Sequence, residues 1–401
     1  MRTALRVLAG LALLLLGYLA AHRAAYRSLE REGWLDGWEY LTQKDRDLGF
    51  RLRAGISSSY SGVPISVNDD RVRTSKPLGH VPAKGPGELL VLSGGDSNTF
   101  GVYSPYERTY SAVLEQLLEQ RLNRAVRVVN LGVPGHSLLQ TLGLIREWSS
   151  LNPDVIVVSD SFNNRAFLDQ ADSAAAFRRS YYLTRPYEFG SHISYPMLFL
   201  YRTYFVLPRA RQAPVPSLAS LPVPRVPPVA FGALLRELQE IAARSGARLV
   251  FLVSGDNQPD GVPPMETGIL AFRSARWEEA LSVFEAVRGS RPRWFLPAYY
   301  AFQAASHLGR SSQAAAIQKE FGAAYGPLAF RYLDSFSNLP SDYVPALQAA
   351  AAGNGLAFLD VRQQLRGRLV DVSHYDPEGH AIIAAHLASL IGSLAQESEP
   401  D

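Results

Sequence analysis

The sequence predicts a three-layer α/β/α fold, in which a parallel sheet of about five strands is covered by helices on both faces. Short apolar segments of strand length alternate along the chain with longer segments of helical periodicity. Apolar residues make up 47% of the chain and charged residues 19%, which suffices to bury a sizeable core. With 401 residues, the chain is long enough for two or three domains.

The alternation of strands and helices begins near residue 87 and continues almost to the C-terminus. Apolar segments predict five strands, at 88–92, 126–130, 153–158, 247–253 and 356–361. Helical spacing of apolar residues predicts helices at 110–122, 137–151, 231–245 and 381–394. Because parallel strands point the same way, their carboxyl ends meet at one edge of the sheet, where such domains bind ligands.

An apolar segment follows a short basic start at the N-terminus. Arg2 and Arg6 precede an uncharged run at 7–21. A bilayer span usually needs about 20 residues, although a tilted helix or a thinned membrane accommodates a shorter one. We expect residues 4–21 to anchor the protein in the bacterial inner membrane, with the remainder outside the cytoplasm. A cleaved signal peptide is the alternative.

Composition predicts the organisation of the whole chain. The predicted order is a signal-anchor or signal peptide at 1–21, a membrane-proximal lead-in at 22–85, a first segment of the α/β domain at 86–260, a helical insert at 264–331, a second segment of that domain at 340–396 and a tail at 397–401. Seven prolines at 208–228 predict an extended strap within the first segment.

The predicted insert has the spacing of a tetratricopeptide repeat, whose period is about 34 residues. Gly268, Ala280, Phe284 and Pro292 lie at the offsets of one such motif, and Ala314, one period after Ala280, belongs to a partial second one. An ordinary helical hairpin is the alternative interpretation. Tetratricopeptide surfaces commonly bind proteins, so a protein partner could dock on 264–331.

Two polar motifs predict a nucleophile and its base. Ser97 lies in the segment 95–101, between a predicted strand and a helix, where we expect it to be exposed at the helix N-terminus. Asp371 and His374 share a loop before the closing helix, at the same edge of the sheet. A serine nucleophile needs a base, and the base needs an acceptor that orients it.

Two further motifs predict oxyanion donors. Gly135 ends the segment 130–135, and Asn163 lies in the segment 161–164; each segment follows its own predicted strand. A glycine backbone N–H and an asparagine amide are typical components of an oxyanion hole. Taken separately, Gly135 could be a turn glycine and Asn163 a helix cap.

Metal binding is an alternative role for the segment around the predicted base. Its candidate ligands are His374, Asp376, Glu378 and His380, which do not match a metal-ligand spacing of known type.

Together the four motifs resemble the SGNH (GDSL-type) hydrolases, over about residues 87–257 and 340–396. The resemblance implies a flavodoxin-like SGNH fold and a catalytic triad of Ser97, Asp371 and His374. It also implies oxyanion donors at Ser97, Gly135 and Asn163. The family's usual Gly-x-Asn-Asp is replaced here by Ser161-Phe-Asn-Asn164, which keeps only the first asparagine.

The lead-in at 47–71 is similar to that of the bacterial membrane-associated branch of the family, which is linked to acylation or deacylation of exported polysaccharides. We therefore expect a serine esterase that acts on an O-acyl, most simply acetyl, ester, with an envelope polysaccharide as one candidate substrate. An O-acyltransferase using the same triad is one alternative, and a non-catalytic scaffold is another.

The sequence also predicts what the protein does not need. We expect no metal or organic cofactor, since a triad and oxyanion hole suffice for acyl transfer. The chain has no cysteine, which excludes thiol catalysis and disulfides. Its 40 cationic and 37 acidic residues are nearly balanced, and no basic block predicts nucleic-acid binding.

Overall fold

The computed structural model describes residues 2–31, 41–60, 62–159, 162–165, 167–168, 171–182, 194–201, 203–204, 223–254, 263–290, 295–325, 343–353, 356–365, 367–370 and 373–396. The chain forms two compact units. The first comprises Met1–Arg53, Ser58–Ser61 and Ser173–Pro214, and the second comprises Ala54–Ser57, Gly62–Asp172 and Val215–Asp401.

The strands, in chain order, are β1 (Thr42–Asp45), β2 (Gly49–Leu52), β3 (Ile56–Tyr60), β4 (Val63–Val67), β5 (Arg73–Thr74), β6 (Leu89–Gly95), β7 (Val126–Gly132), β8 (Val155–Ser159), β9 (Phe167–Leu168), β10 (Val223–Pro224), β11 (Arg248–Val253) and β12 (Ala357–Asp360).

The helices are α1 (Arg2–Arg31), α2 (Ser97–Phe100), α3 (Tyr110–Leu122), α4 (Leu138–Trp148), α5 (Tyr195–Tyr201), α6 (Pro228–Ser245), α7 (Pro263–Arg273), α8 (Trp277–Ser290), α9 (Phe295–His307), α10 (Ser311–Tyr325), α11 (Val344–Gly353) and α12 (Pro377–Gln396). Residues 174–182 are also helical. Short 3-10 turns occur at Tyr106–Arg108, Ser149–Leu151 and Phe162–Arg165.

An eight-stranded sheet has the strand order β12-β11-β8-β6-β7-β5-β4-β3. The five strands from β12 to β7 pair in parallel and correspond to the five predicted ones, so the predicted fold class is confirmed. Strands β5 and β4 continue the sheet in antiparallel pairing, which was not predicted. Strand β5 has only two residues, too few to give a periodic signal in the sequence.

The two faces of the sheet carry separate hydrophobic cores. On one face Leu90 and Leu92 of β6 pack with side chains from α4, α6 and α11. On the other face Leu89 and Val91 pack with side chains from α3 and α12. This alternation places helices on both sides of the sheet, which is the three-layer arrangement that the sequence predicts.

Helices α7 to α10 have a hydrophobic core of their own, distinct from the two sheet cores. The α-carbon of Gly268 lies so close to Phe284 that a Cβ there would be 2.6 Å from its ring. Ala280 and Phe284 are fully buried in this core. The tetratricopeptide assignment remains a prediction, and Pro292 lies outside the described residues.

Helix α1 is longer than the predicted apolar run. Its leucines at 11, 13–16 and 19 are exposed, whereas Ala25 and Leu29 are buried. Two of the described helices are long and apolar enough to cross a membrane: Ala9–Arg31, which is 6% buried, and Pro377–Ala395, which is 44% buried within the second unit. Composition and length alone are weak evidence for a membrane span.

Two further sequence predictions fall largely outside the described residues. Of the proline-rich strap at 208–228, the structure describes only 223–228, which form β10, a bend and the first residue of α6. The tail at 397–401 also lies outside.

Candidate active site

Ser97 is the first residue of helix α2, which starts directly after the carboxyl end of β6. Asp96 caps this helix, and its carboxylate accepts a hydrogen bond from the backbone N–H of Asn98 at 2.9 Å. The Ser97 residue is only 9% exposed, so it is more buried than the sequence predicted. The cap satisfies one of the free N–H groups of the first turn and fixes the orientation of the serine.

Two glycines allow α2 to lie against the sheet. A Cβ at Gly95 would lie 2.1 Å from Thr99 Oγ1, and a Cβ at Gly132 would lie 2.2 Å from the backbone nitrogen of Phe100. Real side chains do not tolerate such distances, so only glycine permits this approach of helix and strand.

Buried polar side chains from neighbouring elements hold α2 in place. The hydroxyl of Tyr110 donates to Thr99 Oγ1 at 2.9 Å and accepts from Ser93 Oγ at 2.9 Å. The side-chain amide of Asn130 donates to the Thr99 carbonyl at 2.7 Å. Burial raises the pKa of Tyr110 to about 12, so its hydroxyl keeps its proton at neutral pH. Helix α2 is therefore fixed to β6, β7 and α3.

His374 contacts the serine directly, with 2.7 Å between His374 Nε2 and Ser97 Oγ. In the neutral tautomer with its proton on Nδ1, Nε2 accepts a hydrogen bond from the serine hydroxyl. The backbone N–H of Val370 donates to the His374 carbonyl at 2.8 Å, which closes the loop that carries the histidine. Tyr103 packs edge-on against the imidazole, with ring centroids 5.4 Å apart.

Asn163 lies in the 3-10 turn that follows β8. Its side-chain nitrogen donates to Asp96 Oδ2 at 3.1 Å. The same carboxylate therefore caps the serine helix and orients the asparagine, because its two oxygens accept from different elements.

Gly135 lies in the loop between β7 and α4 and has the left-handed φ of 83°. The N–H of Val133 donates to the Gly95 carbonyl at 3.1 Å, which joins this loop to the residue before the Asp96–Ser97 turn. Arg225 donates through Nη1 to the Gly135 carbonyl at 2.7 Å. Three of the five predicted site residues, Ser97, His374 and Asn163, are thus joined directly or through Asp96.

A second histidine of the C-terminal segment has a different environment. His380 on α12 is fully buried, and burial lowers its pKa to about 3, with smaller contributions from Arg73 and His374. Arg73 is itself buried; it lies 4.5 Å from the Phe100 ring centroid and donates to the Ser104 carbonyl at 2.8 Å. Burial lowers the pKa of Arg73 to about 10, so it stays cationic at neutral pH, while His380 stays neutral.

Asp371 and Ser161 lie outside the residues that the structure describes. Of the candidate metal ligands, Asp376 caps α12 through the Gly379 N–H at 2.7 Å, and Glu378 pairs with Arg108 at 2.8 Å. Within the described part of the chain, no group of three His, Asp or Glu side chains could hold a metal ion.

Sequence reasoning missed several residues that shape this site. Asp96 has no role in the sequence prediction, although its position next to Ser97 in the segment 95–101 is a signal. Asn164 was treated as a lost acid; its side-chain oxygen accepts from the N–H of Leu138 at 2.7 Å. Arg225 had no local signal, because it lies in the proline-rich strap far from Gly135 in sequence.

Residues 95–288 match the GDSL-like Lipase/Acylhydrolase family. This segment is similar to GDSL-type hydrolase domains. The matched segment starts at Gly95, two residues before the serine, and ends within α8, so His374 lies beyond it. The predicted resemblance to this family is confirmed, and the match supports an ester hydrolase. A comparison with curated protein sequences found no match.

Solved structures similar to this chain include three esterases or hydrolases. Est24, a carbohydrate acetylesterase from Sinorhizobium meliloti, is 11% identical, with 76% of this chain and 99% of that chain covered and a TM-score of 0.37. LAE5, an α/β hydrolase from the metagenome of Lake Arreo, is 14% identical, with 79% and 99% covered and a TM-score of 0.37. The native M. smegmatis aryl esterase is 12% identical, with 76% and 99% covered and a TM-score of 0.35.

Proposed function

We propose that the protein is a serine esterase that forms an acyl-enzyme on Ser97. The observation that carries this proposal is the 2.7 Å contact between His374 Nε2 and Ser97 Oγ, since these residues lie 277 positions apart in sequence and only the fold joins them. A hydroxyl nucleophile and an imidazole base at hydrogen-bond distance are the two groups that acyl transfer needs first.

In the proposed reaction Ser97 Oγ attacks the ester carbonyl carbon, and its proton passes to His374 Nε2. The tetrahedral oxyanion accepts hydrogen bonds from the backbone N–H groups of Ser97 and Gly135 and from the side chain of Asn163. Collapse of this intermediate breaks the bond to the alcohol, which leaves with the proton from His374. Water, deprotonated by His374, then attacks the acyl-enzyme and releases the acid and the free serine.

Asp371 is the proposed third member of the triad. It precedes His374 by three residues and would accept from Nδ1–H, which would hold the imidazole in the tautomer that accepts from serine. The proposal for this residue comes from the sequence and the family resemblance.

The proposed substrate is an O-acyl, most simply acetyl, ester of a carbohydrate, with an envelope polysaccharide as the candidate. The resemblance of the lead-in to the membrane-associated branch supports this class. The proposed location is the outer face of the inner membrane, supported by the exposed apolar half of α1. In that arrangement the enzyme would act on polymers during or after export.

The test is hydrolysis of p-nitrophenyl acetate by the detergent-solubilised full chain, with wild type beside Ser97→Ala. We expect turnover in the wild type and none above background in the variant. Ser111→Ala is the matched control, because this buried hydroxyl lies under the same region without contacting His374 through any described bond. Turnover that survives in Ser97→Ala would exclude Ser97 as the nucleophile.

A folded wild type without turnover needs one further measurement. Covalent labelling of Ser97 by a fluorophosphonate, absent in Ser97→Ala, would show an activated serine and favour acyl transfer to a sugar acceptor instead of water. Absence of both turnover and labelling would contradict the catalytic proposal.

A further inference from the structure

Arg225 is the centre of a buried hydrogen-bond network beside the candidate oxyanion hole. Its side chain is 11% exposed and that of its partner Asp172 is 5% exposed. Arg225 Nε donates to Asp172 Oδ2 at 3.0 Å, Nη1 to the Gly135 carbonyl at 2.7 Å and Nη2 to Gln140 Oε1 at 2.6 Å. One guanidinium therefore connects three separate acceptors, which its planar set of donors allows.

The acceptors of Arg225 are bonded in turn to the start of helix α4. Asp172 Oδ2 accepts from Ser137 Oγ at 2.7 Å, and Gln140 Oε1 accepts from the Ser137 backbone N–H at 3.0 Å. The Asp172 N–H also donates to the Arg225 carbonyl at 2.8 Å. The loop from Gly135 to Ser137 is thus held by side chains from two distant segments of the chain.

The same segment is joined to the turn that carries Asn163. Asn164, its neighbour, accepts through its side chain from the Leu138 N–H at 2.7 Å, and its carbonyl accepts from the Val226 N–H at 3.1 Å. Residues 225–226 therefore bond to both segments that supply the proposed oxyanion donors.

A glycine donor needs such support because its backbone has little restraint of its own. Gly135 has a φ of 83°, in the left-handed region, which is one of many backbone conformations that glycine adopts readily. The hydrogen bond that its carbonyl accepts holds the following peptide group in place. This limits rotation about the Gly135 α-carbon, and so restricts the direction of its N–H. Oxyanion stabilisation depends on donors that are fixed before the charge develops.

We propose that Arg225 is a positioning residue, which with Asp172 and Gln140 holds the Gly135 loop so that its N–H points at the developing oxyanion. The inference rests on the proposed function and deepens it. Arg225 does not touch the reacting atoms; it acts through the backbone of Gly135.

The test variant is Arg225→Lys, and its matched control is Arg127→Lys. Lysine keeps the positive charge beside Asp172, but one ammonium cannot reproduce the three-way contact. Arg127 is a similar half-buried arginine, 17% exposed, which bonds to Glu88 and to the Pro82 and Ala83 carbonyls. It lies at the amino-terminal end of β7, opposite the candidate site. The control therefore makes the same substitution in a similarly bonded arginine, but far from the site.

Two measurements on the full chain test the proposal. We expect Arg225→Lys to lower kcat for p-nitrophenyl acetate by about 10-fold to 100-fold, with KM within about twofold, because misplaced donors weaken transition-state binding. We also expect faster amide hydrogen exchange in peptides covering 133–138. Arg127→Lys should lower Tm by a similar amount and leave both kcat and this exchange unchanged.

Two results would overturn the proposal: a kcat for Arg225→Lys no lower than that of Arg127→Lys, or unchanged exchange at 133–138. Failure of the proposed function has a different signature, namely wild-type turnover that does not depend on Ser97. In that case the exchange measurement alone decides whether Arg225 holds the loop.

Discussion

The carboxylate of Asp96 accepts a hydrogen bond from the side-chain amide of Asn163 at 3.1 Å, while its other oxygen caps the helix that begins at Ser97. A residue next to the proposed nucleophile thus orients the proposed oxyanion donor. The two functions share one side chain, so neither the nucleophile nor the donor can shift alone.

Replacing Asp96 with asparagine should separate these two contacts. Asparagine replaces one of the two carboxylate oxygens with an NH2 donor, so it keeps an acceptor for either the Asn98 N–H or the Asn163 amide and faces the other with a donor. We expect kcat to fall by about 10-fold. The loss expected for Asn163→Ala is larger, about 10²- to 10³-fold. Esterase kinetics of both variants give the comparison.

Asp154→Asn is the matched control for this prediction. Asp154 also accepts two bonds, from the Leu90 N–H at 2.8 Å and from Lys84 at 2.6 Å, but it lies at the opposite edge of the sheet. It should lower stability without lowering kcat. Equal kcat losses in Asp96→Asn and Asp154→Asn would count against the proposed role of Asp96.

Asp371→Asn should lower kcat by about 10³- to 10⁴-fold, because the imidazole would lose the acceptor that sets its tautomer. Asp376→Asn is the control, since Asp376 lies two residues beyond His374 and caps α12. Steady-state kinetics and a melting curve for each variant separate the two effects. Near wild-type kcat in Asp371→Asn would mean that another group orients His374.

Gly132→Ala should both destabilise the protein and impair catalysis. The added Cβ would lie 2.2 Å and 2.6 Å from backbone atoms of Phe100 and Thr99, so the serine helix would have to move. We expect the free energy of unfolding to fall by about 1–3 kcal/mol. Denaturant titration and esterase activity are the measurements.

Gly289→Ala provides the control for this substitution. Gly289 lies in helix α8, where an added Cβ would meet nothing within 4 Å, so alanine should stabilise the protein by about 0.5–1 kcal/mol. An unchanged stability and activity in Gly132→Ala would show that α2 and β7 are not as close as described.

His380 should make the protein sensitive to acid. Its pKa falls from 6.5 to about 3 on folding, mainly through burial, so between these values the unfolded chain binds a proton that the folded protein does not. Stability from this group is complete above pH 6.5 and decreases as the pH falls toward 3. His380→Gln should flatten the fall of Tm between pH 7 and pH 4, measured by calorimetry.

His386→Gln is the control for the acid prediction, because His386 lies on the same helix in a less buried position. The absolute Tm of His380→Gln at pH 7 is not the readout, since glutamine in a buried site lowers stability by itself. An unchanged slope would show that His380 is not the group that responds.

Four of the five parallel strands could be predicted because each is a largely apolar run that is buried on both faces. The fifth, β12, lies at the edge of the sheet and is half-buried, but its apolar residues still mark it. The antiparallel extension could not be predicted, since β5 consists of Arg73 and Thr74 and the buried arginine contradicts the usual pattern. Its charge is tolerated through contacts with Phe100 and Ser104, which no local window contains.

The candidate site also has a part that could be predicted from the sequence and a part that could not. Topology predicts that Ser97 and His374 share an edge of the sheet, and the structure brings them into contact. The support around Gly135 was not predictable, because Arg225 is 90 residues from Gly135 and 53 from Asp172. Pairings over such distances depend on the complete fold.

The contact between Ser97 and His374 also has a consequence for biosynthesis. Because 277 positions separate the two residues, a ribosome-bound chain carries the serine long before the histidine has been made. Strand β12 and the segment leading into α12 must dock before the base reaches the hydroxyl. On the proposed mechanism, a partly synthesised or C-terminally clipped chain would lack the base for Ser97, so the enzyme would stay latent until the segment that carries His374 has folded.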